Sequence, residues 1–149
     1  MTGSPTAPHA SDSAEQRAAE RAIVAAVAEQ LGVALAPARI AIDDAHVEID
    51  GASSDRTVLV EAYARIGALK GAQPRKLATD AFKLAWAGRK RGATRLILAV
   101  ADETAAGYLR RPGAWLTAAI RDAGIEVVVA GLDDATRQSI LAAQARQYR

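Results

Sequence analysis

The stretch RLILAVA, residues 95–101, carries six consecutive apolar side chains after its arginine. A strand with one solvated face alternates apolar and polar residues, so an unbroken run marks a strand covered on both sides. A chain that contains such a strand must supply a layer above it and a layer below it. Helices on both faces of a sheet meet that demand.

The rest of the sequence provides those layers. Residues 1–12, MTGSPTAPHASD, lack periodicity and read as a disordered tail, leaving 13–149 as one domain. Ser13 and Gln16 have the spacing of a capping box, which opens a helix ending at Leu31 before Gly32. Its apolar stripe is Ile23, Val24, Val27 and Leu31, with Glu20 one turn earlier on the same line. Pro37 interrupts the chain before a short strand at 39–42. Further strands are expected at 45–50 and 57–63, joined by a turn at Gly51–Asp55. Pro74 suits the first turn of a helix that runs to Arg89 and buries Leu77, Ala81, Leu84 and Ala85. A helix near 113–123, a strand at 125–130 and a helix from Asp133 or Asp134 complete the chain. The order α-β-β-β-α-β-α-β-α predicts an α/β fold, a mixed sheet flanked by helices.

Composition excludes several functions. Without cysteine there is no disulfide framework, thiolate metal site or cysteine nucleophile. Abundant alanine and few aromatics favour small-residue helix packing over a large aromatic pocket. No stretch approaches the ~20 apolar residues of a membrane span, and no signal peptide is evident, so a cytoplasmic location is expected. GRKRGATR lacks the spacing of a phosphate loop, and no G-x-S-x-G occurs.

Charge is distributed unevenly. Residues 56–95 hold ten basic side chains against Glu61 and Asp80, a net +8, whereas the remainder holds nine against fifteen, a net −6. Lys76, Lys83 and Lys90 recur every seven residues and form one helical stripe. This asymmetry suggests a polyanionic partner, DNA or RNA.

Within VEIDGASSDRTVLVEAY, 47–63, Asp50 and Glu61 each end an apolar run, where burial without a partner is costly. A hairpin brings the two together, and paired carboxylates bind protons or cations. A hard ion such as Mg²⁺ or Mn²⁺ resolves their repulsion. The plainer reading is an Asp-Gly turn followed by an edge-strand acid. His46, Glu48 and Asp50 share a strand face and suggest a transition-metal site, although three ligands on one strand rarely converge on one ion. Trp86 and Trp115 read as core or interface residues.

VEIDG followed by VLVEAY, with a preceding helix and a following helix and apolar strand, resembles the PD-(D/E)XK phosphodiesterase superfamily. That group includes restriction endonucleases and Holliday-junction resolvases. The likeness spans residues 13–101 and implies a restriction endonuclease-like αβββαβ core with an α-β-α extension. It implies Asp50 and Glu61 as metal ligands and catalytic acids, Glu20 as a further acid, and Mg²⁺ or Mn²⁺ as cofactor. It also implies phosphodiester hydrolysis and a homodimer. Tyr63 stands at the family's Lys position, and a phenol is neutral at pH 7. The resemblance therefore turns to a Lys from a neighbouring element: Lys76 or Lys83 on the helix, with Lys70 in the loop as a lesser candidate. Nucleic acid would follow Arg65, Lys70, Arg75, Lys76, Arg89, Lys90 and Arg91. A nuclease-fold module that binds without cutting is the alternative.

Overall fold

In the computed structural model, which describes residues 10–147, five strands form one mixed sheet in the order β1-β2-β3-β4-β5. The strands are β1 (Ala36–Ile42), β2 (Ala45–Ala52), β3 (Val58–Tyr63), β4 (Arg95–Val100) and β5 (Ile125–Val129). β1–β2 and β2–β3 are antiparallel, whereas β3–β4 and β4–β5 are parallel. Parallel neighbours require crossovers. One is α2 (Gln73–Arg91); the other is the pair α3 (Glu103–Arg110) and α4 (Trp115–Asp122).

All three crossover helices cover one face, where Leu77 and Leu84 of α2 meet Leu59, Leu96 and Leu98. The opposite face is covered by α1 (Ala10–Leu31), with α5 (Asp134–Gln147) packed beside it. Ile23, Val24 and Val27 of α1 meet Val58, Val60, Ile97 and Ala99 there. Complete burial of each such side chain stabilises the fold by roughly 1.5–3 kcal/mol. β4, made from the uninterrupted apolar run, is therefore sealed between the two cores.

Several expected boundaries shift, each for a local reason. The helix begins at Ala10, so Ser13 lies inside it, and Gln16 donates to Glu20 rather than closing a capping box. The expected tail falls on residues 1–9, outside the described residues, and on the first three residues of α1. Pro37 lies within β1 at an exposed position, which an edge strand tolerates. β2 continues through Gly51 and Ala52, and the turn starts at Ser53. Asp55 organises that turn by accepting from Ser53 Oγ, Thr57 N and Thr57 Oγ1. The short helix α3 was not expected. Gly51 stays in the strand because α1 presses on it: a Cβ there would lie 2.7 Å from Val24 Cγ1.

No helix among the described residues is long and apolar enough to cross a membrane.

Candidate functional site

β2 and β3 pair only at Gly51–Val60 and Ala52–Leu59. Beyond these rungs the Asp50 carboxylate takes over, its Oδ2 accepting from Ala62 N at 2.8 Å. The side chain thus substitutes for a carbonyl of the ladder and is fixed beside the β3 acid. Glu61 lies on the α2-facing side of β3, as does Tyr63, and is 1 % exposed. Burial pushes the Glu61 carboxyl up to about 9, and a hydrogen bond and repulsion from Asp50 push the same way, while Lys83 opposes them. The Glu61–Asp50 pair therefore holds a proton at neutral pH.

Lys83 reaches this pair from α2, its ammonium forming an ion pair with Glu61 Oε1. The contact lacks hydrogen-bond direction, so Oε1 remains a buried oxygen without a hydrogen-bond partner. Two turns N-terminal on the helix, Lys76 Nζ is 3.1 Å from Asp80 Oδ2. Burial works against the Lys76 charge, but Asp80, Glu20 and Asp50 outweigh it and hold its pKa above the ordinary value. Asp80, 5 % exposed, is shifted upward by burial against the opposing pull of Lys76 and Lys83. Glu20 is raised first by burial and then by Asp50 and Asp80, with Gln16 and Lys76 opposing.

Four carboxyl groups and two ammonium groups thus share one region contributed by α1, β2, β3 and α2. The structure brings together Asp50, Glu61 and Lys83 at close range, with Lys76 and Glu20 at the margin. Among the described residues, no group of three or more His, Cys, Asp or Glu side chains is arranged to hold a metal ion. This includes His46, Glu48 and Asp50: the first two are exposed, and Glu48 pairs with Arg39. The oxygen donors that do converge are the Asp50 and Glu61 carboxylates, and Glu61 Oε1 already lies against the Lys83 ammonium.

Tyr63 is completely buried, and its hydroxyl donates to Gln73 Oε1 at 3.1 Å. The same oxygen accepts from Lys70 N at 2.8 Å. Tyr63 thereby joins β3 to the start of α2 and to the loop before it. A groove of about 690 Å³ opens over Tyr63, walled by Gln16 and Glu20 on one side and by Lys70, Gln73 and Lys76 on the other, and neither Asp50, Glu61 nor Lys83 is among its lining residues. Arg65 also lines it and donates to Gln147 Oε1.

The remaining expected nucleic-acid residues separate into two groups. Arg75 is exposed near Lys76, whereas Arg89, Lys90 and Arg91 occupy the far end of α2, ~20 Å away at 1.5 Å per residue. Lys90 pairs with Asp43 at 3.3 Å, and Arg91 donates to Ala41 O. The seven-residue lysine stripe exists, but each of its lysines faces an acid: Asp80, Glu61 and Asp43.

Sequence reasoning overlooked Asp80. Its signal was spacing: it stands four residues after Lys76 and three before Lys83, so all three share one side of the helix. Trp115, read as a core or interface residue, is 75 % exposed and so lies outside the core.

Compared with protein-family models, with curated proteins and with solved structures, the chain matches none significantly.

Proposed function

We propose that this chain is a nucleic-acid-binding, divalent-metal-dependent phosphodiesterase with an endonuclease-like, divergent active site. The observation that carries the reading is the Lys83 ammonium lying against the buried Glu61 carboxyl. A chain with Tyr63 buried at the strand position needs its cation from elsewhere, and α2 supplies one.

Asp50 and Glu61 would hold Mg²⁺ or Mn²⁺, with Glu20 close enough to influence the site. A bound divalent ion supplies Lewis acidity toward a phosphoryl oxygen and lowers the pKa of water. The protein's own groups do the rest. Glu61 would have to give up its proton to serve as a ligand, Lys83 would offer positive charge beside the acid pair, and Asp80 holds Lys76 at the rim. Lys70, Arg65 and Lys76 flank the groove over Tyr63, where phosphates of a DNA or RNA strand would lie. Arg75 extends this path, while Arg89, Lys90 and Arg91 would contact a more distant part of the same polymer.

Cleavage of single- and double-stranded DNA and RNA in Mg²⁺ and in Mn²⁺ tests the reading. The wild type should cut at least one substrate, and Asp50→Ala, Glu61→Ala and Lys83→Ala should each lose about 100-fold or more. A wild type that cuts none of them with either ion overturns the enzymatic reading. Closure of Glu61 and Lys83 on one another favours one other reading, a module that binds nucleic acid without cutting it. That module would show salt-dependent, metal-independent binding that survives Asp50→Ala.

A further inference from the structure

Among the described residues three large apolar side chains are exposed, and two of them lie together. Phe82 on α2 is 80 % exposed and Trp115 on α4 is 75 % exposed. Phe82 is the chain's single phenylalanine and Trp115 one of its two tryptophans. Both border a groove of about 410 Å³ between α2 and α4, floored by Ala78, Ala81, Ala85, Ala119 and Ala123. No residue lining that groove carries a charge. The lysines of α2 lie off it, each engaged by an acid.

We propose that two copies of this chain associate about a two-fold axis through the α2–α4 face, the aromatic side chains of each copy filling the alanine-floored groove of the other. The surface is self-complementary, as an isologous interface requires, because protruding rings and a hollow lined by small residues sit side by side. The hollow that receives the rings carries no charge, so no like charges meet where they insert.

The area suffices. A buried Phe or Trp hides about 150–250 Å², so the exposed parts of the two rings offer about 300 Å² per copy. The groove that receives them loses a similar amount, giving about 1,200 Å² in total, the lower bound for a specific interface. A dimer of this size without charged anchors would dissociate in the micromolar range. The proposal is independent of the phosphodiesterase reading, because the face is formed by the outer sides of α2 and α4 rather than by the acid cluster.

Sedimentation and light scattering of the full chain across the micromolar range test it. The expected mass at high concentration is twice the 15.6 kDa of the chain, with Trp115 fluorescence shifting to shorter wavelength as the dimer forms. Phe82→Glu and Trp115→Glu should each weaken association at least about 100-fold. Leu141→Glu, at the third exposed apolar side chain but on α5, should leave it unchanged. A wild type that stays monomeric at high concentration with no spectral shift overturns the proposal, and so does a dimer that survives both charged substitutions. The concentration-dependent fluorescence needs no substitution, so a variant that fails to fold leaves the test intact.

Discussion

Glu61 governs the pH response of the fold, because a carboxyl that titrates near 9 when folded and near 4.5 when unfolded binds its proton more tightly in the native state. Its stabilising effect is complete below pH 4.5, falls as pH rises through the interval, and is gone above 9. Glu61→Gln removes the cost of ionisation, so the variant should be more stable than wild type at pH 8 and nearly equal at pH 4.5. Linkage sets the gain at no more than about 3 kcal/mol at pH 7, and chemical denaturation at the three pH values measures it. The two lysines should separate in the cleavage assay. Lys83→Ala removes the cation touching Glu61, whereas Lys76→Ala removes one held at the rim by Asp80, so the first loss should exceed the second by about 10-fold or more. Gly51→Ala should cost about 1–3 kcal/mol, read by thermal unfolding, because its Cβ meets Val24 Cγ1 at 2.7 Å under a helix that cannot retreat without opening a core.

At the scale of elements, α2 does three things along its length. Its inner side buries Leu77, Ala81 and Leu84, its flank places Lys76, Asp80 and Lys83 beside the acids of the sheet, and its outer side presents Phe82. Asp80→Asn keeps the shape of the side chain but withdraws the charge that faces Lys76. Burial on balance disfavours the Asp80 charge, so stability at neutral pH should hold or rise slightly, while the Lys76 pKa comes down, which NMR of isotope-labelled lysine measures. How far each element was legible depended on whether its reason was local. β4 and β3 were readable because continuous apolar runs state their own burial, and the shared face of Leu59, Glu61 and Tyr63 follows from period two. The helix α3 was not, since ETAAGYLR is short and contains Gly107. Its start signal, Asp102 accepting from Ala105 N, is a single short-range bond. Asp102 also accepts from Gly67 N at 2.9 Å, which no local pattern announces. The extension of β2 past Asp-Gly depended on α1 lying over Gly51, a tertiary fact. Likewise, the carboxylate pair was suggested by the hairpin, but the choice of Lys83 over Lys76 rested on side-chain reach across two elements.

For the whole molecule, the basic excess of residues 56–95 is partly cancelled in space, since acids from three other elements meet it. Lys90 finds Asp43 in the β1–β2 turn, Arg95 finds Glu126 on β5, and Lys76 is drawn toward Glu20 on α1. Binding of nucleic acid, if it occurs along the groove, should therefore show a shallow salt dependence, reflecting only a few released counterions rather than the ten cations in the segment. Titration of DNA affinity against salt measures that slope. On the metal-dependent reading proposed above, the same acids would make the fold respond to divalent cations. Mg²⁺ or Mn²⁺ at about 100 times its dissociation constant should stabilise the protein by about 2.7 kcal/mol. The effect should be larger at pH 8.5 than at pH 6, because the ion must displace the Glu61 proton. Thermal unfolding at both pH values, with and without the ion, checks the sign.

The bond between Asp50 and the Ala62 amide carries one more consequence. On the metal-dependent reading, the carboxylate that closes the last rung of this antiparallel ladder would also receive the cation, so a shift of Asp50 toward the ion would weaken that rung. Whatever captures Asp50 loosens a backbone proton in the middle of the molecule. The Ala62 amide is thus a built-in indicator, and its hydrogen-exchange rate would register the arrival of an ion at the acid pair without any substrate, any turnover or any substitution.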